Sequence, residues 1–163
     1  MITRTIHGFF LGVFLIWIVS GCASRRVTIS YVDVHYKPPV YGYQPIIEAT
    51  INGVSGHFLI DTGAMAPALS KTAVSRCGLA VTPSKGYITG AEGGNITMMQ
   101  ATNVTVRFSQ GVAIHWPIVL VFSGDIPQPA GTNDTCLGVL DYGSLRAHGA
   151  ILDMKQKTIT LTK

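Results

Sequence analysis

From Pro45 to Lys163 the chain is a succession of short apolar runs broken by glycine, asparagine and proline. Runs of this length cannot bury a helical stripe over several turns; bounded by turn residues, they read as strands. Ile46–Ile51 and His57–Ile60 flank Asn52-Gly53-Val54-Ser55-Gly56, and Asn-Gly accepts the positive φ angles of a tight hairpin. Val81–Thr89 and Ile96–Gln100 read as strands around Gly90-Ala91-Glu92-Gly93-Gly94, and Val104–Phe108 and Ala113–Phe122 as a pair around Ser109-Gln110-Gly111. Thr135–Leu140 is a strand after the proline-rich loop Gly124–Asp134, and Ala150–Asp153 with Thr158–Leu161 forms a final hairpin. Two helical pieces interrupt the pattern: Lys71–Cys77, capped by Ser70 and ended by Gly78, and a turn or two over Asp141–His148. The expected class is all-β, a closed barrel or sandwich with one short C-terminal helix.

Composition narrows the partners. Hydrophobic residues make up 47% and charged residues 12%, which excludes a disordered chain and a coiled coil. The net charge of +4 is concentrated ahead of the β-rich part: residues 45–163 hold 8 basic and 7 acidic side chains. No phosphate-neutralising stripe is visible, so no nucleic-acid partner is expected.

The amino end reads as an address. Met1–His7 carries Arg4 and no acid, and Phe9–Val19 is apolar throughout. At about 1.5 Å per residue that core is too short to span a roughly 30 Å hydrocarbon layer, and the order of charge, short apolar core and small residues is that of a secretory signal. Val19-Ser20-Gly21-Cys22 resembles the lipobox of bacterial lipoproteins. The resemblance implies cleavage after residue 21, lipid attachment at Cys22 and a membrane partner. Ala23, not aspartate, follows the cysteine, which implies the periplasmic face of the outer membrane within the cell envelope. Residues 22–44, with Pro38-Pro39 and one strand at Val27–Val34, read as a tether ahead of a domain at 45–163. Cys77 and Cys136 remain, either as a disulfide or as packed thiols.

The chemistry rests on Phe58-Leu59-Ile60-Asp61-Thr62-Gly63-Ala64. A carboxylate follows a buried β-run and opens a glycine turn, so it is held on rigid backbone. This segment resembles the hydrophobic-hydrophobic-Asp-Thr-Gly-Ala motif of the retropepsin-like aspartic proteases. Gly90–Gly94 falls where that family has its flap, Cys136-Leu137-Gly138 matches its second-half apolar-apolar-Gly, and Leu145–Asp153 resembles its closing helix and strand. The resemblance spans residues 45–163. It implies a retropepsin-like barrel with a flap hairpin (Thr89, Gly90, Ala91, Glu92, Gly93, Gly94) over a site built from catalytic Asp61, supported by Thr62, Gly63 and Ala64. The substrate it implies is a peptide or protein, with apolar preferences from a floor of Ile60, Ile88 and Leu137.

Peptide hydrolysis by this route needs two carboxylates sharing one proton, because like charges about 3 Å apart do not both ionise. The chain supplies one Asp-Thr-Gly. Asp141-Tyr142-Gly143 has the Asp-x-Gly form, but too little chain follows to build a second lobe, so Asp141 reads as a helix cap or internal acceptor. The enzyme reading therefore demands a homodimer with a symmetric site. No cofactor and no metal are expected: His57, His115 and His148 lack ligand spacing. His57 shares a strand face with Asp61 and reads as a rim residue, and Trp116 reads as strand packing. The alternatives are a barrel of this family that binds without cleaving, and an envelope lipoprotein in which Asp-Thr-Gly is only a turn.

Overall fold

The computed structural model describes residues 24–35, 42–89, 95–123 and 136–163, with side chains left out of the description at 85–97. The amino-terminal 23 residues, including Cys22, and the flap tip Gly90, Ala91, Glu92, Gly93 and Gly94 lie outside the described residues.

Strands dominate, as the turn spacing predicts. β3 (Tyr43–Ile51) and β4 (Val54–Asp61) form a hairpin whose corner, Asn52 at φ 50° and Gly53 at φ 79°, is left-handed at both residues. That geometry matches the twist of the strands it joins. β5 (Ala68–Leu69) leads into helix α1 (Lys71–Cys77). The helix starts where Ser70 Oγ accepts the Ala73 N–H at 3.0 Å and stops at Gly78, φ 63°, the glycine position that a left-handed helix end requires.

β6 (Val81–Thr89) and β7 (Asn95–Phe108) pair from Val81↔Ala101 to Thr89↔Asn95. β7 then turns at Gln110-Gly111 into β8 (Ala113–Val121). The two strands expected at 96–100 and 104–108 are thus one strand of 14 residues. Asn103, left-handed at φ 55°, stands between them, opposite Pro117, which has no N–H to give; pairing on both sides carries the strand through. β9 (Cys136–Asp141), helix α2 (Tyr142–Ala147) and the hairpin of β10 (Ile151–Asp153) and β11 (Thr158–Thr162) complete the chain.

The sheet closes on itself. β3, β4, β9, β5, β8 and β7 are paired in a ring, because Ala49 and Thr50 of β3 also pair with Phe108 and Arg107 of β7. Inside lie Phe58, Ile47, Ile51, Val106, Ile114, Leu137 and Leu140, each at most 1% exposed. β9 is buried along its whole length, as expected of a central strand covered on both faces. Gly138 is required there: a Cβ would overlap Ala68 O and lie 2.9 Å from the Phe58 ring.

The amino-terminal segment departs from its expected role. Residues 26–35 do not hang free as a tether. β1 (Arg26–Ser30) pairs antiparallel with β11 from Arg26↔Thr162 to Ser30↔Thr158, and β2 (Val32–His35) pairs with β3. Val27, Ile29 and Tyr31 are 3–5% exposed. The rough alternation at Val27–Val34 marked strand, but a partner 132 residues away in sequence cannot be read locally. The packed unit therefore begins at Arg26, ahead of Pro45.

Candidate active site

The site is built where two parallel strands end together. β4 and β9 run side by side, Ile60 beside Leu140, and finish on the pair Asp61↔Asp141. At the end of β4 the chain turns at once. The Gly63 N–H donates to Asp61 Oδ1 at 2.8 Å, and the Ala64 N–H donates to the Asp61 carbonyl at 3.2 Å. One carboxylate oxygen is thereby fixed by its own turn. Asp61 is half-buried while Thr62 and Gly63 are exposed, so the acid stands at the rim of the barrel on a rigid base. Ala64 packs beside Leu59 and Phe122 against Cys136 and Val139, a small cluster separate from the barrel core.

The neighbouring turn repeats this geometry with another outcome. The Gly143 N–H donates to Asp141 Oδ2 at 2.9 Å, and the Ser144 N–H also reaches the carboxylate. The Ser144 hydroxyl donates to Asp141 Oδ1, and the Trp116 indole N–H donates to Ser144 Oγ at 2.7 Å. Asp141 is 3% exposed. It caps α2, as read from the sequence, and is enclosed. The Tyr142 N–H leaves this helix start and donates to the Ala64 carbonyl at 3.1 Å, joining the two turns.

Beside Thr62 opens a groove of about 480 Å³, lined by Ile60, Tyr142, Leu145, Ile151, Arg26 and Arg146 among others. It is mainly apolar, and Tyr142 and Ile151 stand more than half exposed on its rim. Sequence reasoning missed this surface because its walls come from β1, β4, α2 and β10.

The other expected residues fall as follows. Thr89 ends β6 and pairs with Asn95, so a hairpin stands where the flap is expected. Of the expected floor, Leu137 is wholly in the barrel core at 0% exposed, Ile60 at 3% packs in the core beside Phe58 and only borders the groove, and the side chain of Ile88 lies outside the description. His57 is half-buried on β4 between Glu48 of β3 and Cys136 of β9. Cys77 and Cys136 are both buried thiols and are not bridged to each other. Burial pushes the Cys77 thiol up from its usual range, against a smaller opposing effect of Arg76. Trp116 does pack in the sheet, against Phe58 with ring centroids 6.1 Å apart. Its indole donation to Ser144 was not foreseen. Among the described residues no cluster of three or more His, Cys, Asp or Glu is arranged to hold a metal ion.

Residues 47–127 match the family model described as "gag-polyprotein putative aspartyl protease". No curated protein matches the chain by sequence. Among solved structures, a retropepsin-like aspartic protease from Rickettsia conorii is similar at 17% identity and a TM-score of 0.51, covering 85% of this chain and 94% of its own. The retroviral protease-like domain of Ddi1 from Leishmania major is similar at 19% identity and a TM-score of 0.50, covering 71% of this chain and 86% of its own. At these identities the likeness is one of fold. The family model covers β4 and the Asp-Thr-Gly turn that ends it, and the retropepsin folds cover most of the barrel; the chain has a retropepsin-like fold and carries the aspartyl protease match around Asp61.

Proposed function

We propose that this protein is an aspartic endopeptidase that works as a homodimer outside the cytoplasm, tied to a membrane through lipidated Cys22. The observation that carries the reading is the Asp61 turn: a half-buried carboxylate at a barrel rim, one oxygen held by Gly63 N–H at 2.8 Å, next to exposed Thr62. The turn itself uses one oxygen of that acid, through the Gly63 N–H, and the rim position leaves the carboxylate accessible.

One carboxylate does not complete the chemistry. A two-fold axis beside Asp61 brings a second copy's Asp61 against it, and the pair then shares one proton. The ionised member takes a proton from water, which attacks the scissile carbonyl. The protonated member donates to the carbonyl oxygen, and proton return to the amine nitrogen releases the products. The groove beside Thr62 supports the dimer: it is mainly apolar, and it adjoins the Asp61 turn. An extended peptide would lie between the turns and the β6–β7 hairpin by strand addition.

The early start of β1 sharpens the membrane reading. Only Ala23, Ser24 and Arg25 separate Cys22 from Arg26, and Lys163 N–H holds the Arg25 carbonyl at 2.8 Å. Four residue steps reach at most roughly 14 Å. A lipidated Cys22 would keep the barrel against the membrane, with Arg25 and Arg26 near the head groups.

The test is hydrolysis of a mixed peptide library by the full chain in detergent at several values between about pH 4 and pH 7. Wild type should cleave and Asp61→Asn should lose at least about a thousandfold in kcat. Cleavage that survives the substitution removes the aspartic mechanism. A folded wild type that binds peptides without cutting them establishes the binding barrel instead. Sedimentation showing a strict monomer under cleaving conditions removes the shared site.

A further inference from the structure

We infer that Trp116, Ser144 and Asp141 form a positioning relay that fixes the Asp61 turn, an inference that rests on the proteolytic reading of Asp61. None of the three side chains reaches the reacting atoms. Each is fastened to the next: indole N–H to Ser144 Oγ, Ser144 hydroxyl to Asp141 Oδ1, and Asp141 to the N–H groups of Gly143 and Ser144. This locks the first turn of α2. The same turn sends the Tyr142 N–H to the Ala64 carbonyl, while the Ala64 N–H is spent on the Asp61 carbonyl. The residue that closes the catalytic turn is thus pinned from both sides, by Asp61 and by the helix start.

The relay also reaches β4 from its other end. Trp116 packs on Phe58, three residues before Asp61 on the same strand, and Phe58 presses on Gly138 of β9. Trp116 therefore touches both structures that aim Asp61: the strand through Phe58 and the turn through Ser144. An ordinary helix cap needs only a carboxylate on the first N–H groups. A half-buried hydroxyl behind the carboxylate, itself held by an indole N–H, restricts the cap in a way that helix stability alone does not call for. Paired carboxylates tolerate little misplacement, because two oxygens must share one proton and grip one water.

Ser144→Ala removes the link while leaving the backbone N–H cap on Asp141, and Trp116→Phe removes only the indole donor while keeping an aromatic ring against Phe58. Both are measured in the full chain with the same peptide substrate. Expected in each is a fall in kcat of about tenfold or more with KM within about twofold, together with shifts of the Gly63 and Ala64 amide resonances. Ser144→Thr, which restores the hydroxyl, should recover kcat. Unchanged kcat and unchanged Gly63 and Ala64 resonances in a folded Ser144→Ala overturn the relay; so does a loss explained by KM alone. Should one variant fail to fold, the other decides. The Asp61→Asn control separates the two readings: if it cleaves as well as wild type, the proteolytic reading falls, while the amide shifts still report whether the relay holds the turn.

Discussion

The two Asp-x-Gly turns of this chain are the same local structure put to opposite uses. Asp61 and Asp141 end neighbouring parallel strands in register, and each carboxylate takes the N–H of the glycine two residues on, at 2.8 and 2.9 Å. Asp141 then meets Ser144 and, behind it, Trp116, and is 3% exposed. Among the described residues Asp61 meets no such enclosure: Thr62 and Gly63 beside it are open. A carboxylate saturated by donors in a closed site holds structure together. A carboxylate with one fixed oxygen at an open rim is available for chemistry. What separates them is the chain that follows, a helix after Asp141 and an exposed turn after Asp61.

If that contrast is right, stability and activity should separate cleanly between the turns. The largest stability effect is expected for Asp141→Ala, which deletes the buried cap and leaves the half-buried Ser144 hydroxyl without its acceptor; about 3 kcal/mol should be lost in urea unfolding. Asp61→Ala, at an exposed rim, should change stability by no more than about 0.5 kcal/mol. Equal losses at the two positions would break the comparison. Next comes Gly143→Ala, whose Cβ would sit 2.8 Å from Asp141 Oδ2, against 3.2 Å from Asp61 Oδ1 for Gly63→Ala. The first should cost about 1–2 kcal/mol and the second less, each followed by thermal unfolding. Tyr142→Pro, compared with Tyr142→Ala to allow for the exposed ring lost in both, removes the N–H that reaches Ala64. Proline suits a first helical position, and Asp141 at ψ 165° already has the extended backbone that a following proline requires. About 1 kcal/mol is expected from the lost hydrogen bond.

The smallest effect lies outside both turns and limits stability at alkaline pH. Burial, then Asp33, raises the Tyr31 hydroxyl above its usual range, and burial raises the Cys77 thiol. Both groups are held neutral in the folded state more firmly than in the unfolded chain. Their contribution is complete below about pH 8.5, the ordinary thiol value, and is lost as pH rises through the raised folded values. Unfolding scans from pH 7 to 10.5 should show a decline that Cys77→Ala and Tyr31→Phe each reduce.

The sequence carried the local punctuation well. Asn52-Gly53, the Ser70 cap, the Gly78 stop and Asp141 as the start of α2 all sit where short-range rules place them, because a turn or cap is satisfied by atoms within four residues. Family resemblance supplied Asp61 and the barrel. The tether was misread at 26–35, and Leu137 was taken for a floor although it fills the core. In both cases the deciding contact comes from a distant part of the chain.

The order of residues alone determined which segments extend, where the chain reverses, and that one acid would follow a buried strand into a glycine turn; these are choices of φ, ψ and hydrogen bonds among near neighbours. Only the tertiary structure decided that β4 and β9 end side by side, that one of two like aspartates is enclosed and the other left at the rim, and that Trp116 stands behind the enclosed one. Burial and pairing across the ring depend on residues far apart in the chain, and no local pattern encodes which of them will meet.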